Sequence, residues 1–185
     1  ITCDNGIAAI DVIKFAKEND LIVIVTDHHD IQIIHGEDGN CDRVLPDADA
    51  ILNPKQDECA YKFKKLCGAG ICFKLCSELY KKFGLEYKID DLIEVTAIAT
   101  ICDVVDLEDE NRFLAKKGIE LLRSTNNIGL NAIIDINSIS RENISSYEIG
   151  YIIGPCLNAL GRLESGMKGL DLLLCDDNDK VYELA

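Results

Sequence analysis

Residues 21–26, LIVIVT, form an unbroken apolar, largely β-branched run that stops at four polar residues, Asp27-His28-His29-Asp30. A run this short and this apolar reads as a strand buried on both faces, the kind found in parallel sheets covered by helices. Its neighbours fit that frame. Residues 1–3 read as the end of a strand closed by the turn Asp4-Asn5-Gly6, and residues 48–52 as a short strand stopped by Asn53-Pro54. Residues 7–19 read as an amphipathic helix with Ile10, Ile13 and Phe15 toward a core. Further helices are expected over 68–83, 89–102 and 111–123, with a short one over 129–136, and polar connections over 36–47 and 137–147. Strands alternating with helices predict an α/β fold, a parallel sheet flanked by helices, followed by a mainly helical segment. The sheet is expected within residues 1–110 and the helical extension within 111–185.

Composition narrows the function classes. The chain has 185 residues, 48% hydrophobic and 28% charged, the profile of a soluble globular protein. No apolar run approaches the roughly 20 residues that span a bilayer, so no membrane partner is expected. No basic-then-apolar leader opens the chain. There is no initiator Met, and Ile1 reads as the middle of a strand, so an internal fragment of a longer chain is expected. The nine cysteines show neither CxxC pairs nor zinc-finger spacing; buried thiols in a reducing cytoplasm fit them better than a disulfide scaffold. The net charge of −14 argues against indiscriminate binding to a phosphate backbone. Residues 51–90, however, carry 8 basic and 5 acidic side chains, and Lys55, Lys62, Lys64, Lys65 and Lys74 make them the only basic stretch.

In parallel α/β sheets, ligands bind beyond the carboxyl ends of the strands. Asp4 and the Asp27-His28-His29 segment both follow a strand directly. An acid and two imidazoles at a strand end need partners. They suit either a hydrogen-bonded surface turn or a divalent metal with mixed oxygen and nitrogen ligands, such as Mn²⁺. Asp103 adjoins a very apolar helix and calls for a cation, a cap or a metal. Gly68-Ala69-Gly70 opens a helix just after three lysines, a weak phosphate-binding pattern. Gly154-Pro155 and Gly161-Arg162 punctuate another segment, where Arg162 could donate bidentately to a phosphate. His35 lies in a polar stretch with no other ligand type nearby.

Taken together, ITCDNGI, VTDHHD, GAGICFKLC, ATICDVVDLEDENR and GPCLNALGRL resemble the DHH phosphoesterases in order and spacing, through nearly all of the chain. Within them the chain is most similar to the RecJ-type exonucleases specific for single-stranded DNA. The resemblance implies a two-metal hydrolase using Mn²⁺ or Mg²⁺ that releases mononucleotides from the 5′ end of single-stranded DNA in recombination and repair. It implies Asp4, His28 and Asp103 as metal ligands, His29 beside the metal and the scissile phosphate, and Asp27 orienting the histidines. Gly68, Gly70, Asn158 and Arg162 correspond to substrate-binding positions.

There are departures from the family pattern. Its aspartate-rich D-x-D motif would precede Ile1, and its C-terminal domain would follow Ala185. The 185 residues alone are therefore expected to fold without hydrolysing DNA. Cys156 stands where an Arg is usual, and Cys102 and Asp106 replace a usual Ala and Pro. Two rival readings remain, a DHH hydrolase of short oligonucleotides or cyclic dinucleotides and a DHH-like binding subunit that has lost catalysis.

Overall fold

The computed structural model describes residues 1–35, 41–163 and 166–185, with the backbone alone for residues 35 and 160–163. The chain forms two compact units, Ile1–Glu86 and Tyr87–Ala185.

The first unit is built on β1 (Ile24–Thr26). Further along the chain lie β2 (Gln32–His35), β3 (Cys41–Val44) and β4 (Ala50–Leu52). Strand β1 pairs in parallel with β4, Ile24 opposite Ala50 and Thr26 opposite Leu52. Residues 2–4 run along its other edge: Thr2 N–H donates to Ile24 O at 2.9 Å and Asp4 N–H to Thr26 O at 3.0 Å. The parallel sheet expected from the sequence is thus present, and Asp4, Asp27 and Asn53 all leave it at the same carboxyl edge.

Three local expectations need correction. The strand covers only the end of the apolar run. Val25 and Thr26 are buried, but Leu21 and Ile22 are 56% and 79% exposed, because only residues 24–26 gain a partner strand. The polar connection expected over 36–47 contains β3, which pairs antiparallel with β2, Ile33 opposite Arg43; residues 36–40 lie outside the described residues. In α1 (Ile10–Glu18), Ile13 is buried while Phe15 is 67% exposed. At about 100° per residue, Phe15 sits far around the helix from Ile10 and Ile13.

Helix α2 (Gly68–Phe83) matches its expected span. Cys67 Sγ accepts from Gly70 N–H at its start. At its end Gly84 takes a left-handed φ of 69°, and Leu85 N–H returns to Tyr80 O at 2.8 Å, the glycine-terminated ending that satisfies the last carbonyls.

The second unit is helical: α3 (Ile89–Cys102), α4 (Asp109–Leu122), α5 (Ile128–Ile136), α6 (Ser146–Glu148), α7 (Gly154–Leu163), α8 (Gly166–Leu174) and α9 (Val181–Leu184). Its core contains Leu122, Leu130, Ile133, Ile144, Ile153 and Leu172. Residues 87–110, expected alongside the sheet, belong to this unit because α3 packs on α4. The packing is close: a Cβ on Gly118 would lie 2.1 Å from Ala97 Cβ. Gly118→Ala is therefore expected to destabilise this unit by about 1–3 kcal/mol, the usual cost of an overpacked core. A lowered urea midpoint with unchanged slope would record it.

Gly154 and Pro155, which punctuate the sequence here, lie in the first turn of α7. A π-helical turn, Ile149–Ile153, precedes it, and Gly154 N–H donates to Ile149 O, five residues back. The wide turn carries the helix past Pro155, which has no N–H to offer. No helix among the described residues is long and apolar enough to cross a membrane.

Candidate metal centre

The first unit's parallel strands deliver three polar side chains to one spot. Ligand atoms of Asp4, His28 and His29 all lie within 4.8 Å of one another. Asp4 reaches it through a left-handed turn, φ 60°, a conformation that short Asp and Asn side chains tolerate better than most. Its Oδ1 stands 3.1 Å from His28 Nε2; the Asp4 side chain is 51% exposed and that of His28 only 14%. One face of the cluster is thus open and the other is held against the protein.

Asp27 organises the turn from beneath. It is buried, and every hydrogen bond it makes pins a neighbour. Oδ2 accepts from Ile7 N–H at 2.8 Å, and Oδ1 accepts from the backbone N–H groups of His28 and His29 and from the His29 ring at 2.7 Å. Burial pushes this carboxyl up, but those donors outweigh burial and hold it below the usual aspartate range. An ionised carboxylate can only accept, so the contacting His29 Nδ1 carries the proton. His29 therefore presents Nε2 outward from a ring that is 60% exposed.

A residue the sequence analysis passed over completes the frame. Asn53, buried at the end of β4, donates through Nδ2 to His29 O at 2.9 Å and accepts from Lys55 N–H at 2.8 Å. Its signal was the Asn53-Pro54 stop directly after a strand, read only as a turn.

Gly68 has a specific task. A Cβ at this position would lie 2.2 Å from Asp4 Oδ1, so the glycine makes room for the carboxylate beside the first turn of α2. A carboxylate is favoured at that positive end of a helix. Gly70 differs: its N–H is taken by Cys67 Sγ at 3.4 Å. The basic stretch is also partly committed, since Lys64 Nζ donates to the carbonyls of Pro54 and Cys59 and Lys55 pairs with Asp30 at 2.9 Å.

The remaining sequence candidates lie in the second unit. Asp103 caps the C-terminal end of α3, its N–H donating to Ala99 O at 2.9 Å. A carboxylate is disfavoured at that negative end, and the next residue, β-branched Val104, is held at φ 58°. Asn158 is exposed on α7 and lines a small cavity with Cys102, Gly154 and Leu157. Cys156 accepts from Asn137 Nδ2 at 3.6 Å. The Arg162 side chain lies outside the described residues.

Known proteins resemble this chain in sequence and in fold. The RecJ single-stranded-DNA-specific exonuclease of Bacillus subtilis is 40% identical over 185 residues, which is all of this chain and 22% of that protein. The RecJ of Haemophilus influenzae is 36% identical, over all of this chain and 32% of its own length. The chain thus spans between a fifth and a third of these relatives. Among solved structures, exonuclease RecJ bound to manganese superposes with a TM-score of 0.80 at 29% identity, covering 99% of this chain and 43% of that one. RecJ from Thermus thermophilus in complex with Mn²⁺ gives 0.79 at 29% identity, covering 99% of this chain and 26% of that one. The sequence matches the DHH family, N-terminal domain, over residues 1–100. That match takes in the strand-end triplet and the aspartate facing it, and the chain belongs to the DHH family.

Proposed function

We propose that this chain provides catalytic residues of a metal-dependent phosphodiesterase, a 5′-to-3′ exonuclease acting on single-stranded DNA in the cytoplasm during recombination and repair. The observation that carries the reading is the convergence of Asp4, His28 and His29 within 4.8 Å at the carboxyl edge of a parallel sheet. A carboxylate oxygen and an imidazole nitrogen, with a second imidazole beside them, suit a site for Mn²⁺ or Mg²⁺. The names of the RecJ relatives and the manganese in their solved structures support it.

Asp4 and His28 are the proposed metal ligands at this cluster; for Asp103 the proposal as a metal ligand rests on the family resemblance alone. Divalent ions held by these residues would supply activation of water and neutralisation of charge at the phosphate. Asp27 holds His29 in one tautomer and one orientation. His29 Nε2 faces the scissile phosphate; as an imidazolium, with its Nδ1–H held by Asp27, the ring would donate there to charge that develops in the transition state. Gly68, Gly70, Asn158 and Arg162 are the proposed substrate-side positions; Gly68 serves Asp4 as well.

The test is release of mononucleotides from a 5′-labelled single strand by the full-length protein in Mn²⁺. Processive release from long single strands, lost on chelation, is the expected result. Cleavage of short oligonucleotides or cyclic dinucleotides alone would overturn the substrate, and binding without cleavage would overturn the activity. Gly68→Ala is expected to weaken Mn²⁺ binding about 10–100-fold by displacing Asp4, the usual scale for disturbing a ligand's support. Calorimetric titration checks it, with circular dichroism to show α2 intact.

A further inference from the structure

Beside the metal centre sit two thiols that the proposed reaction does not use. Cys3 directly precedes Asp4 on the sheet edge, and Cys72 lies one helical turn beyond Gly68 on α2. Their Sγ atoms are 3.1 Å apart although 69 positions separate them in sequence. Cys3 is exposed, so a solute can reach it. Cys72 is held in place from the sheet side: Thr26 Oγ1 lies 2.8 Å from its Sγ and is itself fixed by donating to Thr2 O at 2.6 Å.

We propose that Cys3 and Cys72 are a reversible disulfide site, oxidised by a peroxide. The sulfur atoms need close by only ~1 Å to reach bonding distance. The chemistry balances without a cofactor. One thiol gives two electrons to hydrogen peroxide and becomes a sulfenic acid, releasing water. The second thiol displaces the hydroxyl as another water, and the S–S bond forms. Two thiols and one peroxide give one disulfide and two waters. A dithiol reductant reverses the bond through a mixed disulfide. The bridge ties the segment that carries Asp4 to the helix against which Asp4 packs. It needs only the two thiols, and holds whether or not the neighbouring site cleaves nucleic acid.

The test is brief exposure of the purified protein to hydrogen peroxide at mildly alkaline pH, then alkylation and non-reducing peptide mass spectrometry. The expected result is a peptide containing Cys3 linked to the peptide containing Cys72, released by dithiothreitol. Cys3→Ser and Cys72→Ser should each abolish the link, and Cys67→Ser, on the same peptide as Cys72, should keep it. In Cys72→Ser the stranded Cys3 should take up dimedone as a sulfenic acid. Serine retains the contact with Thr26, and the exposed Cys3→Ser gives the readout if Cys72→Ser fails to fold. A link to any other cysteine, a link only between molecules, or dimedone uptake on wild-type Cys3 with no link would each overturn the proposal.

Discussion

Asp27→Ala is expected to destabilise the first unit by about 2–6 kcal/mol, since each buried donor left without an acceptor costs roughly 1–3 kcal/mol. Two donors are stranded inside the protein, the N–H groups of Ile7 and His28, and the His29 N–H and ring lose their anchor as well. Ile7 is fully buried, so water cannot replace the carboxylate there. Asp27→Asn keeps one oxygen but turns an N–H₂ toward other donors, and should recover only part of the loss. Urea denaturation followed through the first unit measures both. A change below about 1 kcal/mol for Asp27→Ala would mean that the buried donors find other acceptors.

The adjacent histidines are expected to fail differently. His28 is largely buried with Nε2 against Asp4, whereas His29 is exposed and oriented by Asp27. In the full-length enzyme, His28→Ala should lose more manganese affinity than the 10–100-fold typical of a supporting group. His29→Ala should keep most of that affinity and lower kcat by about 10²–10³-fold, as when one donor to a transition state is removed. Manganese should raise the melting temperature of His29→Ala and not that of His28→Ala, because only a protein that binds the ion gains from it. Calorimetric titration of the two variants decides the assignment. Equal losses would merge the roles, and the opposite pattern would reverse them.

How much of this was legible in the sequence depends on distance along the chain. The strand before Asp27-His28-His29 announced itself through an unbroken β-branched run, the span of α2 through its flanking glycines, and that of α3 through its very apolar composition. The grouping of Asp4 with the histidines followed from one rule, that strand ends of a parallel sheet share an edge. What failed was either weakly patterned or remote. Strands β2 and β3 lack an apolar alternation, since Ile33 and Ile34 are both more than half exposed, so only their mutual hydrogen bonds define them. The reach of Asn53 to the His29 carbonyl spans 24 positions and has no local signature.

Gly68 was read as a helix entry or phosphate contact, and its approach to the Asp4 carboxylate needed coordinates. By contrast Ser145 and Glu148 form a capping box whose S-x-x-E spacing stood in the sequence, inside a stretch taken for a connection. At α7 the glycines and Pro155 were read only as punctuation of a possible phosphate site, and the π-helical turn before Pro155 has no sequence rule of comparable strength.

The proposed metal centre depends on Asp4 as a ligand, and Asp4→Asn tests that with little change of shape. Titrating the protein with Mn²⁺ and following the free-ion signal by electron paramagnetic resonance reads binding directly. Wild-type protein should deplete that signal, and Asp4→Asn should leave it nearly intact while keeping the wild-type melting temperature without metal. Undiminished manganese binding by Asp4→Asn would contradict the account.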